Sequence, residues 1–147
     1  MKRIEFISNS IKLGLGAALL PSFLESCTPT AAKLTILHTN DMHSRIEPFP
    51  ANAGRNAGMG GMARRANLIN EIRKTHKNVL LLDSGDVFQG TPYFNFFGGE
   101  LEFELMSKMG YDACTLGNHD FDNGLEGFDN MLPKAKFPFL TANYDFS

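Results

Sequence analysis

Tryptophan is absent from these 147 residues, cysteine occurs only twice, and positive charge is in slight deficit, with 14 Lys and Arg against 16 Asp and Glu. Each shortage removes a class of protein. Cys27 and Cys114 cannot build a disulfide framework, least of all if one of them is chemically modified, so the fold must rest on packing or on bound metal. A net charge of −2 without a basic cluster leaves no electrostatic footprint for a nucleic-acid polymer. The longest mostly apolar run, Leu13 to Leu24, falls short of the roughly 20 residues that a bilayer-spanning helix needs. The chain also lacks internal repeats and low-complexity segments.

The apolar run follows Met1, Lys2 and Arg3, the arrangement of a secretory signal, and it is therefore expected to be a targeting segment outside the fold. Leu24-Glu25-Ser26-Cys27 resembles a bacterial lipobox, although Glu25 stands where a small or aliphatic residue is usual. Two outcomes stay open: Cys27 becomes a lipidated first residue that attaches the protein to a membrane, or the signal is cleaved near Ala31 and Ala32. Residues 1–26 are thus assigned to the signal and 27–147 to one domain at most. The mature protein is expected to be exported, either periplasmic or lipid-anchored at the bacterial cell envelope. Cys114, inside an apolar stretch, is expected to be an inert core thiol.

The remainder alternates strands and helices. Lys33 to Thr39 reads as a buried strand, and the Val79-Leu80-Leu81-Leu82 run as a parallel strand covered on both faces. Between them, Pro48, Pro50 and a series of glycines mark a loop over 44–61, and Met62, Ala66, Ile69 and Ile72 recur at helical spacing. Gly85 to Gly99 is expected to be irregular. A helix follows over 100–109 with Gly110 as its cap, then a strand at 113–116, a helix over 125–132 stopped by Pro133, and a fourth strand at 139–142. This order predicts an α/β layer with a mostly parallel sheet.

In such sheets, ligands gather beyond the carboxyl ends of the strands. Asp41 and His43 follow the first strand, Asp86 the second, Asn118 and His119 the third and Asn143 the fourth. A carboxylate and an imidazole two residues apart can reach one cation, a second carboxylate can bridge two, and an amide oxygen can ligate as well. The set combines hard oxygens with imidazole, which suits divalent Mn, Zn, Fe, Co or Ni rather than a thiolate site. Any one of these residues alone has an ordinary reading as a turn or capping residue or a surface ion pair. Their joint position on one rim points to metal.

These stretches resemble the calcineurin-like metallophosphoesterases, more narrowly the 5′-nucleotidase and UDP-sugar hydrolase group. The resemblance is carried by Ile36 to His43, Gly60 to Arg65, Asp83 to Thr91, Gly117 to Asp122 and Phe137 to Asn143. It implies that the fold is the N-terminal half of a four-layer αββα sandwich. It also implies two divalent ions: Asp41 and His43 on the first, Asp86 shared by both, and Asn118 on the second. A hydroxide held between the ions would attack phosphorus in line. His119 would serve as proton donor or charge stabiliser, oriented by Asp122, with Asp120 structural. The implied substrate is a nucleotide or another small phosphoester. A 2′,3′-cyclic nucleotide phosphodiesterase or a sulfur-oxidation thiohydrolase on the same scaffold, or a non-catalytic lipoprotein module, are the alternatives.

The pattern breaks after Asn143. The group completes its centre with later histidines, whereas here only His38, within a strand, and His76, at a helix end, are unassigned. The second ion site is therefore expected to be incomplete. This predicts a truncated product with little or no activity alone, or one half of a split protein completed by a C-terminal polypeptide. The aromatic patch of Phe88, Tyr93, Phe94, Phe96 and Phe97 is expected to pack under a loop rather than stack on a base.

Overall fold

A computed structural model describes residues 32–143, so the signal segment, the lipobox and Cys27 lie outside the described residues. Three parallel strands form the sheet in the order β1-β2-β3: β1 is Thr35–Thr39, β2 is Val79–Asp83 and β3 is Ala113–Cys114. Ile36 pairs with Leu80, His38 with Leu82, and Leu82 in turn with Ala113. The third strand is shorter than the sequence suggested. The expected fourth strand contracts to one parallel bridge between Cys114 and Phe139, flanked by N–H bonds from Cys114 to the Pro138 carbonyl and from Leu140 to the Cys114 carbonyl.

Among the described residues four α-helices accompany the sheet: α1 (Met62–Thr75), α2 (Pro92–Phe97), α3 (Glu100–Met109) and α4 (Gly124–Met131). The positions Met62, Ala66 and Ile69 turn inward from α1 as their spacing predicts. Helix α2 is a correction, because this stretch was expected to be irregular. Pro92 presets the first helical turn, and Gly98, at φ 62°, closes the helix by donating its N–H to the Phe94 carbonyl at 2.8 Å. Residues that look like breakers are here the two ends of a short helix. No described helix is long and apolar enough to cross a membrane.

The buried cluster draws on every helix and on Leu81 and Cys114 of the sheet, with Leu37 packed against it. Neighbouring strand positions point the other way. On that side Ile36 is 57 % exposed, His38 is exposed, and Leu80 and Leu82 are only half-buried. The expectations of a fully buried first strand and a doubly covered second strand are therefore both corrected: among the described residues the sheet is covered on one face. Apolar content announces that a strand wants cover but does not say where the cover comes from.

Candidate metal centre

The loops after β1 and β2 continue side by side beyond the last strand pair. Asp41 donates its N–H to the Gly85 carbonyl at 3.0 Å, His43 to the Asp86 carbonyl at 3.0 Å, and Ser44 to the Val87 carbonyl at 2.8 Å. At their root the buried Asp83 carboxylate accepts the Thr39 hydroxyl at 2.5 Å and the Gly85 N–H at 2.9 Å. Burial pushes the Asp83 carboxyl up from the usual range, and these donors pull it back. Asp41, His43, Ser44 and Asp86 all take left-handed backbone, with φ between 48° and 54°. Such geometry costs about 1–2 kcal/mol per L-residue, and it gathers where three candidate ligands sit.

Asp41, His43 and Asp86 each offer one donor atom, and the three atoms lie within 4.8 Å of one another. His43 Nε2 stands 3.8 Å from Asp41 Oδ1, while its Nδ1 faces the Phe88 carbonyl at 3.3 Å. That second contact favours a proton on Nδ1 and leaves Nε2 as the ligand atom. The Asn40 amide donates to the other oxygen of Asp41. Asp86 Oδ1 accepts the His119 N–H at 2.9 Å, which leaves its second oxygen for a cation. Two carboxylates and an imidazole converging in this way fit a divalent ion of the kind the sequence suggested. Space is tight around Asp86. A Cβ on Gly117 would lie 2.1 Å from Asp86 Oδ1, so only glycine lets the third loop come this close.

The third loop brings the remaining candidates. Asn118 is exposed and precedes the short 3-10 turn His119–Phe121, one residue before the N–H that grips Asp86. The His119 ring meets the His43 ring edge-on at 5.2 Å, and its Nδ1 lies 3.0 Å from Asp122 Oδ2. The hydrogen bond with Asp122 raises the His119 pKa, against a smaller opposing effect of desolvation. Asp120 points inward and its carboxylate accepts N–H groups from the loop after β2 and from its own loop. Asn143 is exposed at the end of the described residues.

The support carboxylates are what the sequence reading passed over or left undeveloped. Asp83 has no expected role in the sequence, although an acid at the end of a buried apolar strand is a signal, since burying it demands donors. Cys114 is buried, and burial, with Asp83 and Asp120 nearby, pushes its thiol pKa well up, so it is inert as expected. The aromatic patch divides. Phe88 and Phe94 join the core 5.3 Å apart, whereas Tyr93 and Phe97 stack outside it and Phe96 is 81 % exposed.

Comparison with known proteins gives this geometry a family. The sequence model of the calcineurin-like phosphoesterases matches residues 34–146. A snake venom 5′-nucleotidase from Gloydius brevicauda is 52 % identical over 115 residues, covering 76 % of this chain and 20 % of its own length. The human 5′-nucleotidase is 45 % identical over 139 residues, covering 91 % of this chain and 23 % of its own. Among solved structures, a 5′-nucleotidase precursor from Thermus thermophilus superposes with a TM-score of 0.70 at 42 % identity, over 76 % of this chain and 22 % of that one. The chain spans about a fifth of the length of the curated relatives it matches. It belongs to the calcineurin-like phosphoesterase family.

Proposed function

We propose that this calcineurin-like phosphoesterase chain supplies the first part of a two-ion centre that hydrolyses small phosphomonoesters, with 5′-nucleotides as the substrate class. The observation that carries the reading is the convergence of Asp41, His43 and Asp86 within 4.8 Å, beside the His119–Asp122 pair on the same rim. The relatives named as 5′-nucleotidases support the substrate class.

Asp41 and His43 hold one divalent ion, Asp86 is shared, and Asn118 offers its amide oxygen to a second. Bound there, such ions activate water and neutralise phosphoryl charge. His119, whose ring centroid lies 5.2 Å from that of His43, would serve the phosphoryl and leaving groups as proton donor or charge stabiliser, with Asp122 orienting the ring and raising its pKa. Mn, Zn, Co or Fe satisfies the donor set.

One shared carboxylate and one amide are too few donors for a second ion. Further ligands therefore come from polypeptide beyond the described residues, either continuing or complementing this chain. The sheet face bearing Ile36, Leu80 and Leu82 is a surface that such polypeptide can cover. The mature protein is exported to the bacterial envelope, free in the periplasm or lipid-anchored through Cys27, as the N-terminal run and the lipobox-like segment suggest.

The test is hydrolysis of AMP by the 147-residue chain with Mn²⁺, alone and mixed with the C-terminal portion of a full-length relative. Weak turnover alone, a rise on mixing and loss of both in Asp86→Asn are expected. Robust turnover alone would remove the need for outside ligands. Failure to bind Mn²⁺ in either setting would overturn the centre.

A further inference from the structure

We infer that Asp120 is a positioning residue that presets Asp86 for metal before any ion arrives. The inference rests on the metal-centre reading above and assigns a residue that neither ligates nor touches substrate.

Asp120 is 2 % exposed, and its two oxygens divide four backbone donors between them. Oδ1 accepts Val87 N–H at 2.9 Å and Phe88 N–H at 3.2 Å, while Oδ2 accepts Asp86 N–H at 3.0 Å and Gly117 N–H at 2.9 Å. Three donors belong to the loop after β2 and the fourth to the loop after β3, so one side chain ties the two loops together. Its neighbour completes the grip, because the His119 N–H holds Asp86 Oδ1 at 2.9 Å. The turn at 119–120 thus fixes Asp86 from both ends, backbone through Asp120 and carboxylate through His119. Asp86 itself sits at φ 54°, a conformation that a free aspartate chain seldom keeps without external hydrogen bonds. The constraint reaches the first ion's ligands too, since the Asp86 carbonyl accepts the His43 N–H at 3.0 Å.

The chemistry requires a carboxylate. All four facing groups are donors, and a carboxylate presents acceptors on both oxygens. An asparagine presents one oxygen and one NH₂, so in either orientation two backbone N–H groups would meet a donor and lose their partner. A purely architectural strut is a different matter and has its counterpart in Asp112, whose carboxylate accepts the Leu81 N–H at 2.7 Å on the β2 strand, away from the cluster.

The experiment uses the full chain and titrates Mn²⁺ by calorimetry, with amide hydrogen exchange of the metal-free protein followed by NMR. Asp120→Asn should weaken Mn²⁺ binding by roughly 10- to 100-fold, the range for residues that orient metal ligands. It should also strip exchange protection from Asp86, Val87, Phe88 and Gly117. Asp120→Glu, which keeps the charge and both acceptors, should recover part of each. Asp112→Ala should leave Mn²⁺ affinity within about twofold even where it lowers the unfolding temperature, because no metal ligand depends on it. Unchanged Mn²⁺ affinity in Asp120→Asn, or equal losses in Asp120→Asn and Asp112→Ala, would overturn the positioning role. If Asp120→Asn does not fold, the same comparison is made with Asp120→Glu, whose longer side chain must still cost affinity that Asp112→Ala does not. Should the wild-type chain bind no Mn²⁺, the centre itself falls. Exchange then decides the lock alone, and retained protection at Val87 and Phe88 in Asp120→Asn would refute it.

Discussion

On the rim of the sheet, Asp83, Asp86 and Asp120 each accept at least one backbone N–H, and the three loops lie within hydrogen-bond reach of one another. On its outer face, a few residues away, Ile36 is 57 % exposed and Leu80 and Leu82 are half covered. The three rim carboxylates find their N–H and O–H donors within residues 39–44, 83–88 and 117–122. The face is apolar and, among the described residues, uncovered. A ligand geometry assembled from hydrogen bonds between neighbouring loops does not need that face to be covered.

Paired substitutions give the widest separation. Leu81→Ala, on the covered side, should cost about 2–5 kcal/mol, whereas Ile36→Ala, one strand over on the open side, should cost under about 1 kcal/mol because it loses little buried area. Chemical denaturation of the full chain measures both. Similar losses would mean that the outer face is covered after all.

Next in size, Asp86→Asn should lower Mn²⁺ affinity at least about a hundredfold, close to 2.7 kcal/mol, with little change in unfolding midpoint, since it removes a ligand charge and keeps the side-chain shape. Gly117→Ala should couple the two properties. Its Cβ overlaps Asp86 Oδ1, so the third loop must back away, at a cost of about 1–3 kcal/mol in stability and a loss of metal affinity. If Gly117→Ala binds metal normally, the rim is looser than its hydrogen bonds indicate.

The smallest effect is electrostatic. In the metal-free chain, the ring-proton NMR titration of His119 should lie above the ordinary histidine value, and Asp122→Asn should move it down. A histidine whose folded-state pKa is raised favours folding while it is protonated. That contribution is complete below its ordinary pKa and disappears as pH climbs through the raised value. Identical His119 titrations in the two proteins would show that Asp122 orients nothing.

Much of the rim was readable without coordinates because each candidate follows directly on an apolar strand: Asp41 and His43 after Thr39, Asp86 after Asp83, Asn118 and His119 after the strand at Ala113. A polar residue at the end of a buried strand has few reasons to be there apart from capping, turning or binding. Helix α2 was not readable, since Pro92 and Gly98 serve breaking and bounding equally and only the packed position of Phe94 between them settles which. Nor was the exposure of β1, because the run Thr35-Ile36-Leu37-His38-Thr39 has the same composition whether or not its outer face is covered.

By itself the sequence determined the alternation of strand and helix, the parallel order of the sheet and the gathering of Asp41, His43 and Asp86 at one end of it. These follow from local periodicity and from the direction in which βα units wind. Only the tertiary structure decided that Asp120 would turn inward to hold two loops, that Gly117 would press against Asp86, and that one side of the sheet would stand open. Each depends on which backbone groups meet across loops distant in the chain, and the distribution of residue types along a sequence does not encode that one position at a time.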